Sequence, residues 1–348
     1  MTIQKQSIGI DISKDTFTAC GCSVNHDGKL TFTEVKSFKN AQQGFNQLLR
    51  WAKTFADPNS ELIFLMEATG VYYESLAHHL FKVKKKVVVV LPNMSKQYFS
   101  SLNIKSKTDE LDAKILSRFG VERIHRLWTP PLEILLHLRN LTRYYVQLQE
   151  QKTKLGNIKH SKESSNNIQK FILTSNQKLI KQIDVQIEQC KIEIKKLVMS
   201  DEELNERIEK LMTIKGVGFM TVVTVIAETF GFEHFKSAKQ VVSFAGYDVV
   251  QRESGTSVKG KTRISKKGNR FIRNTLYFPA MVATRYNPDL KANYMRIISN
   301  NPSKMVGQVA IQRKLLVLIY TLWKNNSTYV SNYNKIAPME NIEATLDS

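Results

Sequence analysis

Four acidic residues stand where carboxylates could bind a divalent cation. Asp11 interrupts the apolar run IGIDI, and Glu67 ends the apolar run ELIFLME. Asp109 and Asp112 are three residues apart, so on a helix their side chains share one face. An unpaired carboxylate in an apolar strand is costly, and neighbouring carboxylates repel unless a cation lies between them. Oxygen ligands without histidine or cysteine favour Mg²⁺, with Mn²⁺ as an alternative.

Such an acidic site has a known use and also an ordinary explanation. Two cations about 3.5 to 4 Å apart could bind the attacking and leaving oxygens of a phosphodiester. Alternatively, Asp109 and Asp112 are a solvated helix N-terminus favoured by the helix dipole, and Glu67 is a charge at a strand end. The joint placement of four acids favours the metal site.

A second chemical feature is a basic segment, residues 252–273, which has eight basic residues and one acidic residue, a net charge of +7. We predict that it binds nucleic-acid phosphates, with affinity falling steeply as salt rises. Three aromatic residues nearby could contact a base or sugar: Tyr247, Phe271 and Tyr277. The predicted phosphate-binding residues are Arg252, Lys259, Lys261, Arg263, Lys266, Lys267, Arg270 and Arg273.

The basic segment also holds hydroxyl groups, among them Ser254, which precedes Gly255. A serine hydroxyl attacks phosphorus poorly unless its proton is removed or the developing oxyanion is stabilised. The segment supplies cations for this purpose but no histidine. From the residues alone, Thr256, Ser257 and Ser265 are equally eligible as a nucleophile or a phosphate contact.

A Gly-Val-Gly turn at Gly216 and Gly218 joins two predicted helices within LMTIKGVGFMTVVTVIAE. Backbone N–H groups at a helix start suit a phosphate, so this stretch predicts a helix-hairpin-helix that binds the DNA backbone. A structural turn between two helices is the alternative.

The overall charge points in the same direction. The 348 residues include 51 Lys and Arg against 31 Asp and Glu, a formal net charge of +20, and the last 135 residues alone carry +11. A polyanionic partner, nucleic acid above all, is expected. No apolar run reaches the roughly 18 residues of a membrane span, and three cysteines are too few for a disulfide framework, so a cytoplasmic protein without a membrane partner is predicted.

The elements that must position the acids form a mixed α/β layer. Three strands are predicted over residues 7–38, followed by a helix at 41–55 and a strand at 61–68. A helix at 72–82, a strand at 87–91 and a helix at 108–120 complete the pattern, with Thr108 as its N-cap. The polar stretch after Pro92 is predicted to contain no element.

The rest of the chain reads as helical. Apolar residues three and four apart predict two long helices in 132–155 and 183–211, joined by a turn-rich stretch at 156–167. We interpret them as an antiparallel coiled coil able to pair with a second copy; an ordinary helical subdomain is equally compatible. The predicted domains are therefore 1–125, a connector at 126–210, a mainly α domain at 211–330 and a tail at 331–348.

Taken together, these motifs resemble the DEDD transposases of insertion sequences. GIDISKDTF contains Asp11, MEATGVY contains Glu67, and KTDELDAKIL contains Asp109 and Asp112. Two later stretches are also similar to that family, and the resemblance covers residues 6–300. These stretches are IKGVG and FAGYDVVQRESGTSVKGKTRISKKGNRFIRNTL.

The resemblance implies a fold, a reaction and partners. The N-terminal domain would be RNase H-like, similar to RuvC, with Asp11, Glu67, Asp109 and Asp112 as metal ligands for Mg²⁺. Ser254 would attack the DNA backbone and form a covalent phosphoserine, with the acidic domain assisting. A guide (bridge) RNA encoded by the element would choose the target and donor DNA. Strand exchange on double-stranded DNA would require a homo-oligomer, a dimer or tetramer.

Three other functions are compatible with parts of the sequence. A RuvC-like structure-selective endonuclease would use metal-activated water and leave 5′-phosphate ends. An ATPase of the actin and sugar-kinase fold also begins with a G-I-D strand, but it needs a second such domain, and only helices are predicted after residue 125. A non-catalytic DNA- or RNA-binding protein would not depend on a divalent metal.

Overall fold

The computed structural model describes residues 3–104, 106, 108–164, 169–251, 253–254, 258–260, 262–301 and 303–331. The chain divides into two compact units, Met1–Pro130 and Pro131–Ser348. The predicted boundary between a connector and a C-terminal domain at residue 210 stays a prediction, and the tail beyond residue 331 lies outside the described residues.

The first unit is built on one mixed sheet with the strand order β3-β2-β1-β5-β6, in which β4 also pairs with β2. The β1–β2 pair is antiparallel, whereas β5 runs parallel to both β1 and β6. The strands are β1 (Ile3–Ile12), β2 (Thr16–Asn25), β3 (Leu30–Phe32), β4 (Lys36–Lys39), β5 (Leu62–Glu67) and β6 (Lys86–Val90).

Four helices cover the faces of this sheet: α1 (Gln42–Phe55), α2 (Glu74–Lys82), α3 (Pro92–Ser101) and α4 (Asp109–Glu122). The predicted α/β class is confirmed. Two details of the prediction were wrong. The third predicted strand is two short strands, β3 and β4, and α3 occupies the polar stretch where no element was expected. Its Pro92 stands at the start of the helix, where the missing N–H costs no hydrogen bond.

The first unit has two apolar layers, one on each face of the sheet. Residues such as Phe45 and Leu48 of α1 and Leu80 of α2 pack on one face. On the other face, Leu65 of β5 packs with Leu116 and Phe119 of α4. Along β1 and β5, successive buried side chains therefore point to opposite faces of the sheet, as Phe64 and Leu65 do.

Helix α4 lies unusually close to β1 because of Gly9. A Cβ atom on Gly9 would collide with the backbone of α4 between Ala113 and Ser117. Near the other end of the helix, a Cβ atom on Gly120 would collide with the Ser7 side chain. Since Ser7 precedes Gly9 while Gly120 follows Ala113, helix and strand run in opposite directions. The first turn of α4 therefore lies toward Asp11.

The second unit is mainly helical, as predicted, with two short ribbons between α9 and α10. The ribbons are β7 (Val249–Val250) with β10 (Arg263–Ile264), and β8 (Glu253–Ser254) with β9 (Val258–Lys259). The helices are α5 (Glu133–Glu163), α6 (Lys170–Met199), α7 (Glu202–Met212), α8 (Phe219–Thr229), α9 (Ala238–Ala245), α10 (Arg270–Tyr286), α11 (Pro288–Ser299) and α12 (Lys304–Lys324).

Helix α5 is longer than the sequence suggested. The second predicted helix, 183–211, was wrong at both ends, because α6 begins at Lys170 and ends at Met199, and Asp201 then caps the separate helix α7. The predicted turn from residue 156 was wrong, because α5 continues through Gly156 to Glu163. Within this pair the Cys190 thiol donates to the Leu141 carbonyl at 3.4 Å, and the Asn176 amide donates to the Leu155 carbonyl at 3.0 Å. The residues that face the partner helix include polar groups with defined partners, which fixes the alignment of the two helices.

One apolar core runs through the second unit and includes residues of α5, α6, α7, α8, α9, α10, α11 and α12. Helix α12 is long and apolar enough to cross a membrane by length and composition alone. However, Ile311, Leu315 and Ile319 of α12 are fully buried in this core. The core helix of a folded domain passes the same test, so the apolar character of α12 is explained by packing.

Candidate functional site

Asp11 and Glu67 lie side by side at the ends of neighbouring parallel strands. Gly9 pairs with Leu65 and Ile10 pairs with Met66, so the next residues, Asp11 and Glu67, stand at the same level. Neighbouring strands are about 4.8 Å apart. Side chains alternate along a strand, so Asp11 shares the face of Gly9, which contacts α4. Glu67 likewise shares the face of Leu65.

Helix α4 adds acidic residues to the same edge. Its N-cap is Thr108, whose side-chain oxygen accepts a hydrogen bond from the Leu111 backbone N–H at 3.2 Å, as predicted. Asp109 is exposed, whereas Asp112 is buried. Because the helix runs antiparallel to β1, its first turn points toward the level of Asp11. Three elements, β1, β5 and α4, thus contribute carboxylates to one face of the sheet.

The Glu67 carboxylate is held by two hydroxyl groups. Thr69 donates to its Oε1 at 3.0 Å, and Ser95 donates to its Oε2 at 2.5 Å. Ser95 is fully buried in α3 and also contacts the Pro92 carbonyl at 3.1 Å. Helix α3, which the sequence did not predict, therefore fixes the orientation of a predicted site residue.

The four acids have the right donor chemistry for a hard divalent cation, and three elements bring them to one edge of the sheet. Across the described residues, however, no three side chains of Asp, Glu, His or Cys are gathered closely enough to hold a metal ion. Asp11 and Asp112 both have other interactions within the protein.

The glycine turn predicted to bind a phosphate joins α7 to α8. Gly218 is exposed at the N-cap of α8, and no side chain caps this end of the helix. Gly216 lies close to α10, and a Cβ there would be 2.9 Å from the Ala283 backbone nitrogen. Close helix packing thus explains why residue 216 is a glycine. For Gly218, both a phosphate-binding turn and a structural turn between helices stay compatible with the structure.

Residues 246–269, which we call the serine arm, join α9 to α10, and their described part forms the two strand pairs β7–β10 and β8–β9. Ser254 lies in β8. Both ends of the arm meet at its base. The Ser265 N–H donates to the Asp248 carbonyl at 2.8 Å, and the Lys266 N–H donates to the Gly246 carbonyl at 3.1 Å. A Cβ on Gly268 would lie 2.5 Å from the Gly246 nitrogen, so the two chain segments touch.

The predicted phosphate-binding residues fall into three groups. Arg252 and Lys261 lie outside the described residues, and Lys259 is placed by its backbone in β9. Four residues are exposed and available to a polyanion: Arg263, Lys266, Lys267 and Arg270. Arg273 is half-buried, and its Nη1 donates to the Ala245 carbonyl at 2.7 Å, so it has a structural contact at the base of the arm.

Of the three aromatic residues predicted to be available for base or sugar contact, Tyr247 is not available. It is fully buried, and its hydroxyl donates to the Gln312 side chain at 2.9 Å. Burial raises the pKa of Tyr247 above its ordinary range. Phe271 lies beneath the guanidinium groups of Arg143 and Arg270, at 4.8 and 5.1 Å from the ring centre. The sequence alone does not show whether Phe271 packs against arginine side chains or contacts nucleic acid.

A buried acid at the base of the arm was missed by the sequence analysis. Glu228 of α8 has a side chain only 1% exposed, and it receives two hydrogen bonds from Arg143, at 2.6 and 2.8 Å. The Asn269 amide donates a third, at 2.6 Å. Glu228 stands in the apolar stretch VVTVIAETF, the same signal that identified Asp11, so the pattern could have revealed it.

Comparisons with known proteins find transposase families in both parts of the chain. Residues 208–295 match the family described as transposase IS116/IS110/IS902, and residues 8–161 match a second transposase family, the DEDD type of IS110. The chain is 32% identical over 329 residues to a pilin gene-inverting protein of Moraxella bovis, covering 94% of this chain and 98% of that protein. It is 27% identical over 128 residues to the transposase of insertion sequence element IS1111A of Coxiella burnetii, covering 36% of this chain and 35% of that protein.

Among solved structures, Thermus thermophilus RuvC in complex with a Holliday junction substrate is similar to this chain, with 12% identity and a TM-score of 0.27. The match covers 35% of this chain and 99% of RuvC.

Proposed function

Since the chain belongs to the IS116/IS110/IS902 family of transposases and is a DNA-rearranging enzyme, we propose that it cuts and rejoins DNA through a covalent bond to Ser254. Both the family and the pilin gene-inverting relative support a reaction on double-stranded DNA. The observation that carries the proposal is the serine arm. Ser254 lies in the β8–β9 pair of this arm, the exposed Arg263, Lys266 and Lys267 lie in β10 and just after it, and the two ends of the arm are joined at the base.

The reaction is a phosphoryl transfer that conserves the number of ester bonds. The Ser254 Oγ–H bond breaks and an Oγ–P bond forms, while one bridging P–O bond to a deoxyribose oxygen breaks and that oxygen takes up a proton. Exposed cations such as Lys266 and Lys267 bind the neighbouring phosphates. Because the phosphodiester energy is retained in the serine ester, rejoining needs no external energy source.

A divalent cation, Mg²⁺ with Mn²⁺ as an alternative, would be held by Asp11, Glu67, Asp109 and Asp112, and it would stabilise negative charge on phosphate oxygens. Support comes from Glu67, whose carboxylate is oriented by the Ser95 and Thr69 hydroxyls. A guide RNA and assembly into a dimer or tetramer are part of the proposal. The net charge of +20 suits two nucleic acids bound at once.

The test is detection of a protein–DNA bond. A supercoiled plasmid would carry the DNA that flanks this chain's gene, and it would be incubated with the protein, Mg²⁺ and RNA transcribed from that DNA. After denaturation and nuclease digestion, mass spectrometry would locate the modified residue. We expect the adduct at Ser254, none in Ser254→Ala or Asp11→Asn, and an unchanged adduct in the control Ser265→Ala, a serine of the same arm.

Several outcomes would contradict parts of the proposal. An adduct that persists in Ser254→Ala would assign the nucleophile to another residue. Free 5′-phosphate ends without any adduct would indicate the RuvC-like endonuclease reaction with water. Equal adduct formation with and without RNA would show that the reaction needs no guide RNA. DNA binding without any metal-dependent reaction would indicate that the protein binds nucleic acid but is not a catalyst.

A further inference from the structure

We propose that Glu228 is a positioning residue that fixes the base of the serine arm through Asn269, and so sets the placement of Ser254 for attack on DNA. The inference rests on the proposed function, because it takes Ser254 as the nucleophile. Glu228 is in α8 and Asn269 is the last residue of the arm, so their hydrogen bond joins a core helix to the segment that carries Ser254.

The side chain of Glu228 is almost completely buried. An ionised carboxylate removed from water is strongly unfavourable unless charges and hydrogen bonds compensate it. Here both oxygens have donors, since Arg143 bonds to each of them and Asn269 bonds to Oε2. Losing one of these donors would leave part of a buried charge uncompensated. The three side chains therefore hold each other in one arrangement.

Asn269 makes hydrogen bonds to three different helices. Its amide nitrogen donates to Glu228, while its side-chain oxygen accepts from the backbone N–H groups of Phe271 and Ile272 at the start of α10. Its own backbone N–H donates to the Phe244 carbonyl at 2.7 Å. One residue thus joins α8, the first turn of α10 and the end of α9.

At the base of the serine arm, its two ends are in direct contact. Gly246 ends α9 in the left-handed conformation, with φ of 74°, and it touches Gly268, the neighbour of Asn269. Arg273 adds a hydrogen bond to the Ala245 carbonyl. Because the two ends of the arm are in contact here, a shift of Asn269 would be passed to both strands of the ribbon. The position of Ser254 therefore depends on how firmly Asn269 is held.

A purely structural role for Glu228 makes a different prediction. If the network only stabilised the fold, its loss would lower the thermal midpoint and the fraction of folded protein, while the folded molecules would react at the normal rate. Positioning predicts a lower rate per folded molecule at saturating DNA, with the Kd for DNA little changed. A misplacement of about 1 Å can lower a rate by on the order of 100-fold.

The experiment exchanges the hydrogen-bond direction between Glu228 and Asn269. Glu228→Gln removes the charge, and Asn269→Asp places two carboxylates together. In the double variant, the introduced glutamine amide can donate to the introduced aspartate, whose carboxylate still caps α10. We expect each single variant to form the Ser254 adduct about 10- to 100-fold more slowly in single turnover, and the double variant to recover most of that loss.

The matched control is Asn287→Ala, which removes another asparagine N-cap in the same unit. Asn287 is fully buried and caps α11 through the Leu290 N–H. The control variant should lower the thermal midpoint without slowing adduct formation. If Glu228→Gln does not fold, Asn269→Ser carries the test, since the serine oxygen keeps the cap but its side chain ends one bond short of the amide nitrogen that donates to Glu228.

Two results would overturn the proposal: single variants with the wild-type rate, or a double variant no faster than the singles. Failure of the proposed function is separate, because it appears as an adduct in Ser254→Ala with Glu228 intact.

Discussion

At the scale of single residues, the acidic site shows how neutral hydroxyl groups control a carboxylate. Thr69 and Ser95 each donate to one oxygen of Glu67, which removes the rotational freedom of that side chain. Partners of this kind orient metal-binding side chains and are often as important as the ligands themselves. The buried position of Ser95 makes its hydroxyl a fixed donor rather than one exchanged with water.

Ser95→Ala should weaken metal-dependent activity without removing it. The variant leaves Glu67 with one hydroxyl donor, and loss of an outer partner typically lowers metal affinity about 10- to 100-fold. A titration of adduct formation against Mg²⁺ should show half-maximal activity at a higher concentration. Ser100→Ala, on the exposed side of the same helix, is the control. Superimposable titrations for Ser95→Ala and wild type would mean that Glu67 does not bind the cation.

Single residues also show what the sequence could and could not predict. Asp11 was recognisable because an acid in an apolar strand needs a reason, and Glu228 carries the same signal in an apolar helix. Its partners Arg143 and Asn269 are 85 and 41 residues away, so no local pattern connects them. Tyr247 was misjudged for the same reason, since its partner Gln312 is in α12.

At the scale of elements, strong periodicity was a reliable guide and composition was not. The helix predicted at 41–55 is α1, and the N-cap predicted at Thr108 is confirmed. Helix α3 was missed because its sequence, PNMSKQYFSS, is mostly polar and only Ser95 and Tyr98 are buried. Tertiary packing on the sheet, not intrinsic preference, makes that segment helical.

The end of α4 predicts a pH dependence. Burial lowers the pKa of His125 below its ordinary 6.5, although the Phe119 carbonyl, 2.8 Å from Nε2, opposes this. The folded protein therefore binds fewer protons than the unfolded chain. The stability from neutral His125 is fully present above pH 6.5 and is lost as pH falls from there to the folded-state pKa, by at most about 1.4 kcal/mol per pH unit.

Thermal unfolding at pH 5 to 8 checks this expectation. His125→Gln, which keeps a donor for the Phe119 carbonyl but cannot titrate, should reduce the fall in the midpoint below pH 6.5. Burial also lowers the pKa of His79, so some slope remains in the variant. His26→Gln, an exposed histidine of the same unit, should keep the wild-type slope. An unaltered slope in His125→Gln would contradict the assignment.

At the scale of the whole molecule, charge was the most informative property of the sequence. It predicted a nucleic-acid partner before any residue was placed, and the family agrees with that prediction. Composition could not show which of these cations are exposed to a ligand and which make contacts within the protein. Of the predicted contacts, Arg273 is engaged within the protein while Lys266 and Lys267 are exposed. That distinction depends on the folding of the arm base.

The salt dependence of DNA binding should report this division. Each phosphate neutralised by a cation contributes a slope of about 0.9 to the logarithm of affinity against the logarithm of salt concentration. Lys266→Gln and Lys267→Gln should each reduce the slope by about that amount. Lys195→Gln, an exposed lysine of α6, should leave the slope unchanged. Equal slopes for all three variants would place the DNA elsewhere on the protein.

The meeting of Gly246 with Gly268 has a consequence for how such enzymes diversify. A segment whose entrance and exit are adjacent can change length or composition at its tip while its neighbours stay in register. Changes in length between Gly246 and Gly268 are therefore expected to leave α9 and α10 in place, because the two glycines stay in contact whatever length of chain joins them.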